Sequence, residues 1–144
     1  MKHLHRNIRI HAAVWIFFLS VSAWAADVVI IANKNVPENV LTQEVARNIF
    51  LGKKTLWDNG TKIIPVTLSD EKIHLAFLKM VVKKTPSAFS AYWNQILFTG
   101  KGIPPRIFEN EKELVRYVTI TRGAVGYVPV GTDISDVKVI KIIE

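Results

Sequence analysis

The chain has 144 residues, 49% of them hydrophobic, with 19 Lys and Arg against 12 Asp and Glu, four His and no Cys. Without cysteine there is no disulfide framework. Three of the histidines (His3, His5, His11) sit at the very start, which leaves a transition-metal site or imidazole catalysis a single ring, His74. The formal charge of +7 is carried by scattered lysines rather than a basic stripe interleaved with aromatics, which argues against a nucleic-acid surface.

Lys2, Arg6 and Arg9 precede the apolar stretch "HAAVWIFFLSVSAWA", which ends in Ala23-Trp24-Ala25. A basic start, an apolar centre and a small-residue end make a secretory leader. The run is shorter than the ~20 apolar residues a spanning helix needs. The expectation is a leader over 1–25, cleaved after Ala25, and one exported, periplasmic domain over 26–144 with no stable membrane anchor. The leader holds three of the 19 basic residues and no acid, so the remainder carries about +4, a balance suited to a small anion or an acidic partner.

"ADVVIIAN" (26–33) is a β-branched apolar run and predicts a strand buried on both faces. "NKNVPEN" follows as a loop. Thr42 is placed to cap a helix whose apolar stripe is Val45, Ala46, Ile49 and Phe50, and Gly52 is placed to end it. Lys53 and Lys54 then lie past the negative end of the helix dipole. "GKKT" does not begin a Walker-type phosphate loop: Arg47 stands where its first glycine belongs, and Lys54 where Ser or Thr should follow the lysine.

Asp58-Asn59-Gly60 predicts a turn, and Lys62 to Leu68 a strand. A second helix is expected from Ser69, with Ile73, Ala76, Phe77, Met80 and Val81 as its buried stripe and His74 on the exposed side. A third begins near Pro86 and Ser87 and stops at Gly100 and Gly102. "KGIPPRIF" cannot be helical. Asn110 and Glu113 predict the start of a fourth helix, "EKELVRYVTI". Residues 123–130 and 137–143 read as the last two strands. Strands alternating with helices predict an α/β architecture with a mostly parallel or mixed central sheet flanked by helices.

Taken in order, "LTQEVARNIFLGKKTLWDNG", "IIPVTLSDEKIHLAF", "YWNQILFTGKGIPP" and "VTITRGAVGYV" resemble the substrate-binding proteins of phosphate ABC transporters. The resemblance spans about residues 41–128, and its most specific pair is "IFLGKKTLW" with "TRGAVGYV". It implies a periplasmic-binding-protein-like α/β lobe in a short, single-lobe form. It also implies phosphate or a similar oxyanion as ligand, and a transporter or a second copy of the chain as partner. Neither a cofactor, a metal nor an enzymatic activity is implied.

The resemblance further implies an anion site at the start of the second helix, where Thr67, Ser69 and Asp70 stand at the family's Ser-Gly-Thr helix start. "TLSDEK" departs from that motif, because Asp70 and Glu71 put two carboxylates at the helix start. Ser69 or Asp70 acting as an N-cap, with both acids complementing the dipole, accounts for the same residues. Thr121, Arg122 and Gly123 form a second implied ligand group. Arg122 replaces the family's proline, and either a guanidinium fork for phosphate or a solvated loop arginine fits it. Gly123 and Gly126 suit close backbone approach, while Trp57, Tyr92, Trp93 and Tyr127 suit the core or an interface rather than a ligand platform. Two functions remain: weak oxyanion binding, or an interaction or regulatory module that keeps the lobe without its ligand.

Overall fold

The computed structural model describes residues 27–144, so the expected leader and its cleavage site lie outside the described residues. One six-stranded sheet organises them, in the spatial order β2-β6-β1-β5-β3-β4. The strands are β1 (Val28–Ala32), β2 (Val40–Thr42), β3 (Ile64–Leu68), β4 (Arg106–Phe108), β5 (Ala124–Pro129) and β6 (Lys138–Ile143). The sheet is mixed. β1 runs antiparallel to both β5 and β6, while β2–β6, β3–β5 and β3–β4 are parallel. The helices are α1 (Gln43–Phe50), α2 (Glu71–Phe77), α3 (Pro86–Phe98) and α4 (Glu111–Ile120).

Each helix starts where a short polar side chain accepts a backbone N–H that the helix itself cannot satisfy. Thr42 Oγ1 accepts from Val45 N at 3.2 Å, Thr85 Oγ1 from Ala88 N at 3.2 Å, and Asn110 Oδ1 from Glu113 N at 2.9 Å. At α2 the cap is Asp70, whose carboxylate accepts from Ile73 N at 2.9 Å. That helix does not end in register: Leu78–Val82 continues it as a π-helical turn closed by Lys83, whose N–H reaches Leu78 O at 2.7 Å.

The "LGKK" segment is the C-terminal cap of α1. Gly52 N donates to Ile49 O at 3.1 Å and Lys53 N to Asn48 O at 2.8 Å, the paired bonds of a Schellman motif. A Cβ on Gly52 would lie 2.8 Å from Trp93 Cη2, so glycine also lets α3 dock there.

Successive residues of β5 assign the layers, because neighbours on a strand point to opposite faces. Gly126 faces Leu114 of α4, whereas the Tyr127 ring stacks on Phe77 of α2 with centroids 3.8 Å apart and planes 6° apart. α4 therefore covers one face of the sheet, and α2 covers the other. Phe50 of α1 joins the second face edge-on, 4.6 Å from Phe77 and 6.4 Å from Tyr127. The result is a helix–sheet–helix sandwich, as the alternating pattern predicts.

Candidate functional site at the end of the third strand

β3 runs out of the sheet at Leu68 and hands the chain to α2 through Ser69 and Asp70. A hollow of about 460 Å3 opens there, between the end of β3 and one face of α3. Its polar lining is Thr67, Ser69, His74, Ser90 and Asn94, and among the described residues no carboxylate or cationic side chain joins them. Phe89, Trp93 and Pro104–Pro105 supply the apolar walls. Hydroxyls, an imidazole and an amide on an apolar surround form a set of neutral donors that suits a small polyoxygen anion.

His74 is half-buried rather than on the exposed side of α2. Its Nδ1 lies 2.6 Å from Tyr127 Oη, and that oxygen also accepts from Leu68 N at 3.1 Å. A phenol has one proton to give. Tyr127 Oη can accept from Leu68 N–H and still donate its own proton to Nδ1; in that arrangement the ring proton of neutral His74 sits on Nε2. Burial holds the His74 imidazolium below its usual range and pushes the Tyr127 phenol up, so both rings stay neutral near pH 7. In that arrangement His74 Nε2–H is a donor whose ring is oriented by the Tyr127 hydrogen bond.

The six residues expected to hold an anion do not converge. Thr67 and Ser69 line the hollow. Asp70 caps α2 with its carboxylate instead of lining it, the N-cap alternative open to its sequence. Ser69 N is already engaged with Phe108 O at 2.9 Å. Thr121, Arg122 and Gly123 stand at the other end of the sheet, because parallel pairing sets Ala124 beside Ile64, the first residue of β3. Three residue steps from Ile64 to Thr67, and five to Ser69, separate the two groups by about 10–17 Å of strand.

At that far end Arg122 is exposed, and Gly123 is a structural post. Its N–H donates to Asn35 Oδ1 at 3.0 Å, and its carbonyl accepts from Trp57 Nε1 at 2.9 Å and Ile64 N at 3.1 Å. A Cβ there would fall 2.1 Å from Lys62 O, and the residue has φ +79°. Sequence reasoning missed Ser90 and Asn94, although their i, i+4 spacing puts them on one face of α3. It also missed His74, which lies one turn before Phe77 on the buried stripe.

No family model and no curated protein matches the sequence. Solved structures do match in fold. An ABC-type phosphate transport receptor from Vibrio cholerae superposes with TM-score 0.63 at 19% identity over 81% of this chain and 46% of its own. A putative phosphate ABC transporter substrate-binding protein with bound phosphate, from Clostridium perfringens, gives 0.63 at 20% over 81% and 45%. PstS from Borrelia burgdorferi gives 0.63 at 13% over 81% and 47%. The chain spans a little under half the length of each of these. It has the α/β fold of one lobe of phosphate ABC transporter substrate-binding proteins.

Proposed function

We propose that the chain is an exported solute-binding lobe that takes phosphate or a similar tetrahedral oxyanion in the hollow at the end of β3. The observation that carries this reading is that Thr67, Ser69 and His74, with Ser90 and Asn94 opposite, share one hollow that no carboxylate lines among the described residues. The likeness in fold to proteins named for phosphate supports the same ligand class. The lining is neutral and the hollow open, so the expected dissociation constant is in the millimolar range, about −4 kcal/mol. Titration calorimetry with phosphate and with sulfate tests it. Saturable heat at millimolar phosphate is expected, and none up to ten millimolar refutes ligand binding. Export belongs to the same proposal, and the mass of the secreted product tests it: cleavage after Ala25 is expected.

A second reading, an interaction module that keeps the lobe and has lost its ligand, draws on the surface around α3. Phe98 is 93% exposed and Ile103 82%. Recovery of one defined partner, transporter subunit or second copy, together with silent calorimetry, would select it.

A further inference from the structure

A second hollow, of about 590 Å3, shares Trp93 and Pro104–Pro105 with the first as a common wall and opens beside the α1 cap. Its floor is apolar, built from Ile49, Ile63, Ile64 and Ile96. Two aromatic rings are fixed at its side by their polar ends. Tyr92 Oη donates to Leu51 O at 2.6 Å, and Trp93 Nε1 to Phe50 O at 3.2 Å, so both handles are engaged and the rings offer apolar surface.

The charged lining has one sign. Lys54, Lys62, Lys101 and Arg106 line the hollow, and among the described residues no carboxylate does. The four are not equivalent. The Arg106 guanidinium sits over Phe108 at 4.7 Å and Tyr117 at 5.4 Å, neither of which lines the hollow. Lys54 Nζ is 3.3 Å from Asp58 Oδ1, a partner outside the lining. Lys62 and Lys101 form no ion pair with any described residue.

We infer that this hollow binds a small amphipathic anion: an aromatic or branched aliphatic body carrying one carboxylate, sulfonate or phosphate. The body lies on the isoleucine floor and the head meets Lys62 and Lys101. A bare inorganic oxyanion would leave the floor in water, and an uncharged hydrocarbon would gain nothing from the lysines. The volume falls within the 300–1,000 Å3 usual for small-molecule sites. The inference goes beyond the oxyanion reading, because it concerns the other side of the Trp93 wall and stands if that reading fails.

Two dyes test it on the purified protein: 1-anilinonaphthalene-8-sulfonate and its uncharged analogue N-phenyl-1-naphthylamine. The sulfonate is expected to bind saturably at one site, at least fivefold more tightly than the uncharged dye, and phosphate at ten millimolar should leave it in place. The double variant Lys62→Gln/Lys101→Gln is expected to weaken the sulfonate five- to tenfold and spare the uncharged dye, at about a fivefold ceiling per exposed charge. Gly102→Leu is expected to exclude both dyes, since a Cβ there points at Ile96 Cγ2, 3.1 Å away, and at Trp93, 3.7 Å away. Equal affinity for the two dyes, an unaltered sulfonate affinity in the lysine variant, or displacement by phosphate would overturn it. The lysines are exposed, so their variant folds even if the Gly102 variant does not.

Discussion

Removing one oxygen atom tests how the end of β3 is held. In Tyr127→Phe the ring keeps its stack on Phe77, so almost no apolar packing is lost. Two hydrogen bonds disappear. Leu68 N–H, buried at the last residue of β3, loses its acceptor, and His74 Nδ1 loses its partner. A buried donor left unsatisfied costs about 1–3 kcal/mol. The half-buried imidazole recovers part of its loss from water, so the total is about 2 kcal/mol. In urea, with a slope of about 1–3 kcal/mol/M for a domain of this size, the midpoint drops by about 1 M at unchanged slope. The comparison variant His74→Gln keeps the Leu68–Tyr127 bond and is expected to lose less than half as much. A midpoint shift below about 0.2 M for Tyr127→Phe would refute the claim that this phenol holds the strand end.

The same imidazole makes stability depend on pH. Its folded pKa lies below the usual 6.5, so the unfolded chain binds its proton first. The stabilisation is fully present above about pH 6.5 and is lost as pH falls through the lower folded value, a decline that urea unfolding at several pH values should show reduced in His74→Gln. Thr67→Val combined with Ser69→Ala is expected to weaken phosphate binding about tenfold or more in calorimetry, at ~1.5 kcal/mol per hydrogen bond to a charged ligand. Arg122→Ala, at the far end of the sheet, is expected to change it less than twofold. Gly123→Ala is expected to cost more than about 3 kcal/mol or to abolish soluble expression, because strain at positive φ adds to the clash with Lys62 O. Gly60→Ala has a similar φ of +80° but open space around its Cβ, so its cost of about 1–2 kcal/mol in thermal melts measures the backbone strain, and the difference from Gly123→Ala gives the steric part.

Local signals were legible and long-range ones were not. Thr42 and Asn110 could be read as helix starts because a cap depends on residues two or three positions away, whereas Pro86 and Ser87 place the third helix and its Thr85 cap was not read. The short strands β2 and β4 could not, since three residues such as Val40–Thr42 are extended only because β6 pairs with them. The π-helical turn after Phe77 is likewise set by tertiary contact: Gln43 Nε2 reaches across from α1 to Val81 O at 2.6 Å. Pairing register decided the site. Thr67, Ser69 and Asp70 form one implied ligand group along the chain and Thr121–Gly123 a second, and the parallel alignment of β3 with β5 sets the two groups at opposite ends.

The two segments that made the family resemblance specific meet each other. Trp57 of "IFLGKKTLW" donates its indole N–H to Gly123 of "TRGAVGYV", and Phe50 of the first packs edge-on against Tyr127 of the second. Both contacts are buried, where a change in shape costs several kcal/mol, so these residue types mark a packing solution. Two of the groups lining the hollow, Ser90 and Asn94, lie outside both segments on an exposed helix face where exchange is cheap. The scaffold contacts and the lining of the hollow are therefore written in different residues. A sequence that keeps the scaffold pair is bound to keep the lobe, while its donors are free to change, as the neutral lining beside Asp70 and Glu71 illustrates. Tyr127 joins the scaffold to the hollow: its ring fills the core against Phe77, and its hydroxyl meets Nδ1 of His74.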